Sequence, residues 1–177
     1  MKKIAVMGSA FNPPTLGHLD VIQQALSQCD EVWLVPSFRH AWGKAMAPYQ
    51  QRCEMVDAFV ADLNHTKVKP MAIEHEIASE KPVYSYDLLR VLQEKASSDE
   101  QLYLLIGPDN AAAFDRFYKA DEIKQRWPLL VVKERVNVRS TRIREALAKQ
   151  KPIEKMTSPS VVRYLSEHAI YSDLSHD

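Results

Sequence analysis

The chain has 177 residues, 46% of them hydrophobic, and its 23 Lys and Arg side chains balance 23 Asp and Glu side chains. This size and apolar content suffice for one core without disulfide bonds, so we expect a single domain over residues 1–177. The formal net charge of zero gives no support for nucleic acid or a membrane surface as a partner. The sequence contains no apolar stretch long enough for a signal peptide or a membrane span, which predicts a cytoplasmic protein.

Apolar runs alternate with helical patterns along the chain. The runs predict strands at residues 3–7, 32–36, 66–71, 102–106 and 129–133. Apolar stripes at helical spacing predict helices that cover the sheet around residues 19–26, 55–63 and 88–92, and further helical patterns follow at 140–149 and 158–169. This order predicts an α/β fold with a Rossmann-like, doubly wound parallel sheet of five strands and C-terminal helices. Cys29 and Cys53 each fall in a helical pattern and are expected to be reduced, packed thiols.

The loop after the first predicted strand, residues 8–18, carries the strongest functional signal. Parallel sheets bind ligands beyond the carboxyl ends of their strands, where the strand order reverses. Gly8 and Gly17 would let a polyphosphate approach the backbone, and a helix beginning near Gly17 would point its free N–H groups at the same anion. His18 then lies in the first helical turn, facing the phosphates. Taken singly, each glycine is also explained as a turn residue.

Two further strand ends carry polar residues. After the second strand, residues 37–44 include His40 and Lys44, which suit phosphate contact, although a solvated basic loop is the alternative interpretation. After the fourth strand, Gly107 permits backbone approach to a flat ring, and Asp109 offers a hydrogen-bond acceptor. Asp109 is equally explained as a helix cap.

A third polar segment, residues 137–144, opens a predicted helix. Ser140 and Thr141 at the helix N-terminus, with Arg144 close behind, would combine hydroxyls, helix dipole and guanidinium into an anion site. A capping box starting at Ser140 is the competing interpretation. That box requires Glu or Gln at the position where Ile143 stands, so it is not satisfied.

These loops resemble the two signatures of the nucleotidyltransferase superfamily. The first signature, which ends in H/T-x-G-H, is matched by Gly8, Phe11, Pro13, Gly17 and His18. The second, I-S-S/G/A-T-x-I/L-R, is matched by Val138, Ser140, Thr141, Ile143 and Arg144. Arg139 stands where the superfamily usually has Ser. The sequence contains neither Gly-x-Gly-x-x-Gly nor a Gly-Lys-Ser/Thr phosphate loop.

Within this superfamily, the chain is most similar to the bacterial nicotinate mononucleotide adenylyltransferases. The similarity continues through residues 49–55, 82–86, 105–110, 117–123 and 163–171. It implies that Phe117 stacks on the pyridine ring of the mononucleotide and that backbone groups of residues 84–86 receive its carboxylate. The chain departs from this family in two places: Thr15 replaces the first histidine of the motif, and the segment 133–138 is shorter than the family's.

The resemblance implies adenylyl transfer in NAD biosynthesis without a covalent enzyme intermediate. The substrate phosphate attacks the α-phosphorus of ATP in line, and pyrophosphate leaves. His18 would donate a hydrogen bond to the α-phosphate, Thr15 would hydrogen-bond nearby and Lys44 would balance the phosphate charge. Mg²⁺ would accompany ATP, bound mainly by water and phosphate oxygens, because the sequence offers no dedicated protein metal site.

We therefore predict three overlapping groups of site residues. The catalytic group comprises Thr15, His18, Lys44 and Arg144. The ATP-binding group comprises Gly8, Ser9, Ala10, Phe11, Gly17, His18, Gly107, Asp109, Ser140, Thr141 and Arg144. The mononucleotide-binding group comprises Asn12, His40, Lys44, Tyr84, Ser85, Tyr86, Phe117 and Lys133.

The sequence leaves two other functions open. Thr15 and the short segment 133–138 also suit a pantetheine-phosphate adenylyltransferase of coenzyme A biosynthesis, and Thr15 with Arg139 also suits a non-catalytic regulator that binds nucleotide. The alternative interpretation of Phe117 is that it is a core residue. The choice between nicotinate and nicotinamide mononucleotide, and between a monomer and a homo-oligomer, is not decided by the sequence.

Overall fold

The computed structural model describes residues 1–39 and 46–171, and these form a parallel β-sheet covered by helices on both faces. The strands are β1 (Lys2–Ser9), β2 (Glu31–Pro36), β3 (Val68–Pro70), β4 (Glu100–Ile106) and β5 (Leu129–Val131). Their order across the sheet is β3-β2-β1-β4-β5, with every neighbouring pair parallel. All five predicted strands are confirmed, although β3 and β5 are shorter than the sequence predicts.

The alternation of side chains along β1 explains why both faces of the sheet need cover. Ala5 and Met7 join a core on one face, whereas Ile4 and Val6 join a core on the other, and these four residues are all buried. All six residues of β2 are buried. Such continuous apolar burial is typical of parallel strands with helices on both sides.

The helices divide between the two faces. They are α1 (Leu16–Leu26), α2 (Tyr49–Leu63), α3 (Glu74–Ile77), α4 (Ser85–Lys95), α5 (Pro108–Ala112), α6 (Ala120–Arg126), α7 (Ser140–Ala148) and α8 (Pro159–His168), with a single 3₁₀ turn at Phe114–Arg116. Helices α1, α2, α7 and α8 pack on one face, and α4 and α6 pack on the other. The predicted doubly wound α/β fold is therefore confirmed.

The predicted helical stripes all correspond to helices, but Cys29 does not lie in one. Helix α1 ends at Leu26, so Cys29 sits in the turn before β2, where it is buried. Cys53 lies within α2 and is half-buried. Both thiols are free within the described part of the chain, as expected.

The strand order places the predicted ligand loops together. β1 lies in the middle of the sheet, and the chain leaves it toward β2 on one side and reaches β4 on the other. The carboxyl ends of β1, β2 and β4 therefore open onto one edge, which is where parallel sheets bind ligands. In residues 1–39 and 46–171, none of the helices has the length and apolar character needed to cross a membrane.

Candidate active site

The His18 side chain is held in one protonation state by its neighbours. The backbone N–H of Thr15 donates to Nδ1 of His18 at 2.9 Å, so Nδ1 is the acceptor and the ring proton resides on Nε2. Nε2 donates to the Ser9 hydroxyl at 3.2 Å, and the Phe11 ring lies 4.8 Å from the imidazole centroid. Burial lowers the pKa of His18 to about 4. The imidazole is therefore a neutral N–H donor at neutral pH.

Thr15 is the N-cap of α1, and its hydroxyl is fully used by the protein. It donates to the Val138 carbonyl at 2.8 Å and accepts from the backbone N–H groups of Gly17 and His18 at 3.1 and 3.3 Å. Because the Thr15 backbone N–H also donates to the His18 side chain, the two residues form a capping box. Thr15 is 1% exposed. The hydrogen bond that the family resemblance implies for Thr15 near the α-phosphate stays a prediction; in the structure Thr15 caps α1 and orients His18.

A cavity of about 380 Å³ opens beside His18. It lies between the start of α1, the start of α5 and the segment that joins β5 to α7. Seven of the predicted site residues line it, namely Thr15, Gly17, His18, Gly107, Asp109, Lys133 and Ser140. In the described structure, α5 has Gly107 as its N-cap without a side-chain cap, so Asp109 does not serve as the cap. Asp109 instead lines the cavity wall.

The three described glycines differ in the space that a Cβ atom would find at their positions. A Cβ atom on Gly17 would lie 2.5 Å from the Val138 carbonyl oxygen and 3.3 Å from that of Val136, so Gly17 is required by the protein's own backbone. A Cβ atom on Gly8 would meet only Leu88, at 4.0 Å, and one on Gly107 would meet none of the described atoms within 4 Å. Gly8 and Gly107 therefore leave open space, which suits close approach of a ligand.

The start of α7 is tied to the loop that follows β1. The Ser140 hydroxyl donates to the Pro13 carbonyl at 2.7 Å, and Arg144 donates to the Asn12 carbonyl at 2.8 Å and to the Thr141 hydroxyl at 3.3 Å. Ser140 is the first residue of the helix rather than its cap. Part of the donor capacity predicted for phosphates is thus used to join α7 to the loop.

Arg139, which departs from the superfamily's usual Ser, has its own partner. Its guanidinium makes two hydrogen bonds to the Glu134 carboxylate, at 3.1 and 2.9 Å. Glu134 also lines the cavity, and the ion pair holds the pKa of this carboxyl below its usual range. The charge introduced at position 139 is therefore balanced within the cavity wall.

Arg52 holds the backbone of the loops around the site, a role that was not predicted from the sequence. It is 1% exposed and donates to three carbonyls around the site, Ala10 at 2.9 Å, Ser37 at 2.7 Å and Phe38 at 3.4 Å, as well as to Ala47 at 2.8 Å. A signal for this role was available, because position 52 falls on the same helical face as the apolar stripe of α2.

Glu74, the second buried charged residue missed by the sequence analysis, lies on the same side of the site. Its carboxylate accepts the Phe38 backbone N–H at 3.0 Å, and burial raises its pKa to about 7 against the lowering influence of Arg52. The residue is 5% exposed. Glu74 and Arg52 thereby hold the beginning of the loop after β2 through its backbone.

Two residues predicted to contact ligands are buried instead. Phe11, at φ 48°, is 1% exposed and packs its ring against His18. Asn12 is 5% exposed, and its side-chain oxygen accepts from the Ala47 backbone N–H at 3.1 Å and from the Tyr171 hydroxyl. The side chains of Phe11 and Asn12 therefore support the loop from the interior, and the ligand contacts predicted for these two residues stay predictions.

Four of the residues predicted for the mononucleotide lie at the start of α4 or near it, on the opposite face of the sheet from α1. Tyr84 is the N-cap of α4, and Ser85 and Tyr86 form its first turn, where backbone N–H groups point outward. Phe117 is half-buried, with its ring 4.7 Å from that of Phe114. Tyr84 lies beside Tyr118 with ring centroids 5.1 Å apart, and both line a second cavity of about 380 Å³.

Lys133 lies apart from the residues at the start of α4 that are also predicted for the mononucleotide. It lines the first cavity, among the residues predicted for ATP, because the segment after β5 folds back on α1. Its assignment to the mononucleotide group stays a prediction. His40 and Lys44 lie outside the described residues.

A metal-binding cluster of three or more His, Cys, Asp or Glu side chains is absent from residues 1–39 and 46–171. The Asp20 carboxylate, which lines the first cavity, is engaged by Arg135 through two hydrogen bonds at 3.0 and 2.8 Å.

Comparison with known proteins agrees with this architecture. The cytidylyltransferase-like family model matches residues 6–160. A protein of Anaeromyxobacter dehalogenans, assigned by its name to the nicotinate-nucleotide adenylyltransferases, is 30% identical over 185 residues, which cover 96% of this chain and 97% of that protein. The chain belongs to this family of nucleotidyltransferases. The nicotinate-nucleotide adenylyltransferase of Bacillus subtilis is 27% identical, with 97% and 99% of the two chains covered.

Solved structures of this family share the fold. A structure from Vibrio parahaemolyticus, assigned by its name to the nicotinate-nucleotide adenylyltransferases, superposes with a TM-score of 0.82 at 42% identity, covering 94% of this chain and 99% of that one. The Plasmodium falciparum nicotinic acid mononucleotide adenylyltransferase, solved in complex with NaAD, superposes with a TM-score of 0.74 at 17% identity, with 97% and 98% of the two chains covered. This second likeness concerns the fold.

Proposed function

We propose that this protein transfers the adenylyl group of ATP to nicotinate mononucleotide. In this reaction a phosphate oxygen of the mononucleotide bonds to the α-phosphorus of ATP, and the bond between the α-phosphorus and the bridging oxygen to the β-phosphate breaks. Pyrophosphate carries away the negative charge. The activity of the named relatives supports the choice of substrates, which fits a step of NAD biosynthesis in the cytoplasm.

The observation that carries the proposal is the neutral His18 N–H donor at the edge of the first cavity. Its Nε2 proton is fixed by the hydrogen bond from the Thr15 backbone to Nδ1. A phosphate oxygen that enters the cavity would replace Ser9 as the acceptor. A donor already oriented toward the developing charge stabilises the transition state without reorganisation. Gly8 leaves room for the phosphates to approach the end of β1.

Two regions at the carboxyl end of the sheet are assigned to the two substrates. The first, lined by His18, Gly107, Asp109 and Ser140, is assigned to MgATP, with Mg²⁺ arriving as part of the substrate. Arg144 and Thr141, which hydrogen-bond to each other at the start of α7, are assigned to the β- and γ-phosphates. The start of α4 and Phe117 are assigned to the pyridine mononucleotide.

The proposal is tested by incubating the purified protein with MgATP and one acceptor at a time. Pyrophosphate release is measured with nicotinate mononucleotide, nicotinamide mononucleotide and phosphopantetheine, and the dinucleotide product is identified by mass spectrometry. We expect the highest kcat/KM with nicotinate mononucleotide. Turnover with phosphopantetheine alone would overturn the proposal, and ATP binding without turnover of any acceptor would favour the nucleotide-binding regulator. Thr15, one of the residues that suits a pantetheine-phosphate adenylyltransferase, serves in this structure as a helix cap. It therefore does not distinguish between the candidate functions.

A further inference from the structure

The segment between β5 and α7 forms one whole wall of the first cavity. Residues 132–136 and 138–140 all line it. This segment has little regular structure of its own, because β5 ends at Val131 and α7 begins at Ser140. Its shape must therefore be set by contacts with other elements.

Gln24 of α1 holds the beginning of this wall with both ends of its amide group. The side-chain oxygen accepts the Lys133 backbone N–H at 3.0 Å, and the side-chain nitrogen donates to the Lys133 carbonyl at 2.7 Å. The same nitrogen donates to Asp20 at 2.9 Å. The pairing satisfies both backbone groups of Lys133, as a neighbouring strand would.

Asp20 holds the next part of the wall. Its carboxylate receives two hydrogen bonds from Arg135, at 3.0 and 2.8 Å, and it is 9% exposed. Paired guanidinium and carboxylate groups fix each other's orientation as well as their distance. Asp20 and Gln24 are four residues apart on α1, so they share one helical face.

The end of the wall rests on the first turn of the same helix. The Thr15 hydroxyl donates to the Val138 carbonyl at 2.8 Å, and the missing side chain of Gly17 makes room for the carbonyls of Val136 and Val138. One face of α1 thus contacts the wall at its beginning, middle and end, and the helix also carries His18.

We propose that Asp20 and Gln24 are positioning residues for the nucleotide, which hold the wall in the shape that accepts ATP. Gln24 acts through the backbone of Lys133, and Asp20, which also lines the cavity, acts through its pairing with Arg135; neither is assigned to the reacting phosphates. The inference rests on the proposed assignment of the first cavity to ATP. It predicts that loss of these contacts weakens ATP binding while the chemistry at His18 continues.

The test compares Gln24→Met with Gln23→Met. Methionine keeps the length of glutamine and removes its hydrogen bonds, and Gln23 is an exposed neighbour on the same helix. We expect Gln24→Met to raise the ATP Kd, measured by calorimetry with MgATP, and the ATP KM by about tenfold. The kcat and the KM for nicotinate mononucleotide should stay within about twofold of the wild-type values, and Gln23→Met should match wild type throughout.

Asp20→Asn and Arg135→Gln provide a second, independent measurement. Each single change should raise the ATP Kd, and the double variant should be no worse than the poorer single variant, because both remove one interaction. An unchanged ATP Kd in Gln24→Met and Asp20→Asn would overturn the inference. So would an equal rise of both substrates' KM values together with a fall in Tm, which indicates general destabilisation.

The inference and the proposed function fail in different ways. If the wild-type protein binds ATP without transferring the adenylyl group, the function is overturned, and the Kd comparison still decides the role of Asp20 and Gln24. If the wild-type protein does not bind ATP, both are overturned together.

Discussion

At the residue scale, His18 shows how the sequence fixes a protonation state. A histidine three positions after the N-cap can accept a hydrogen bond from the backbone N–H of the cap, and the Thr15 hydroxyl accepts one from the backbone N–H of His18. The backbone N–H that binds Nδ1 leaves the proton on Nε2. The signature residues thus act on each other before they act on a ligand, which sequence spacing alone does not reveal.

The first prediction concerns catalysis by His18. We expect His18→Ala to lower kcat about 10²-fold or more, with a much smaller change in the ATP KM, because the lost donor acts chiefly on charge that develops in the transition state. Steady-state kinetics of pyrophosphate release measures both constants. A kcat close to the wild-type value would limit His18 to its place in the capping box.

The second prediction concerns the pH dependence of stability. The pKa of His18 is about 4 in the folded protein, against 6.5 when unperturbed, so between these values the unfolded chain binds the proton. The stability associated with neutral His18 is therefore present above pH 6.5 and is lost as the pH falls toward 4. Denaturant unfolding of wild type and His18→Asn along this range should show the wild-type advantage shrinking. A constant difference would contradict the low pKa.

The third prediction separates two glycines that sequence analysis treats alike. Gly17→Ala should lower the free energy of unfolding by about 1–3 kcal/mol, because its Cβ would lie 2.5 Å from the Val138 carbonyl. Gly8→Ala meets only Leu88, at 4.0 Å, and should fold as well as wild type while losing about tenfold or more in kcat/KM. Thermal unfolding and kinetics measure the pair. A fully active Gly8→Ala would show that no ligand approaches this backbone.

At the scale of elements, the loop after β1 is held by side chains from two helices. Arg52 of α2 binds the Ala10 carbonyl, Arg144 of α7 binds the Asn12 carbonyl, and Ser140 binds the Pro13 carbonyl. The strands and longer helices were predictable, because their periodicity extends over several turns or a whole buried run. Helices α3, α5 and α6 have four to seven residues, too few to show a periodic face.

At the site, the direction of a side chain could not be predicted where its partners are distant in the sequence. Asn12 lies in the signature loop, yet its partners Ala47 and Tyr171 are 35 and 159 residues away along the chain. Spacing within a motif identifies which residues gather at a strand end, whereas the direction of each side chain depends on such distant partners. The cavity-lining residues Gly17, His18, Gly107 and Ser140 were therefore predictable, and the inward orientation of Asn12 was not.

The fourth prediction tests the guanidinium of α7. Arg144→Lys keeps the charge but loses the planar fork that reaches both Asn12 and Thr141, so the ATP Kd should rise about 5- to 20-fold. Arg142→Lys is the matched control, since Arg142 is exposed on the same helix and donates to the Asn137 carbonyl. Calorimetry with MgATP compares them. Equal affinities would restrict Arg144 to a structural role.

At the scale of the whole molecule, the strand order separates the two cavities. The first is bordered by α1 and the segment before α7, the second by α4 and the residues that precede it. Helix α1 packs on one face of the sheet and α4 on the other, so we assign ATP and the mononucleotide to opposite sides of the carboxyl end of β1. A substitution in the region assigned to one substrate should then change the KM of that substrate and leave the KM of the other nearly unchanged.

The fifth prediction tests this separation at Phe117. An aromatic face favours a flat, cationic pyridinium by dispersion and the cation–π interaction, so Phe117→Ala should raise the mononucleotide KM about 3- to 30-fold and leave the ATP KM nearly unchanged. Phe117→Leu retains apolar volume against Phe114 and removes the aromatic face. If leucine restores the wild-type KM, Phe117 is a core residue and stacking is excluded.

The contacts of Asn12 and its neighbours also bear on when the protein becomes active during synthesis. The Thr157 hydroxyl donates to the Pro14 carbonyl, the Leu16 backbone N–H donates to the Met156 carbonyl, and the Tyr171 hydroxyl donates to the Asn12 side chain. The loop after β1 is therefore synthesised early, but its hydrogen-bond partners are synthesised late. Translation proceeds from the amino terminus, and most of the sheet leaves the ribosome before these partners exist. We expect ribosome-bound chains arrested after α7 to release no pyrophosphate, and chains extended past Tyr171 and clear of the exit tunnel to do so. The unfinished polypeptide would therefore consume no ATP while it is being made.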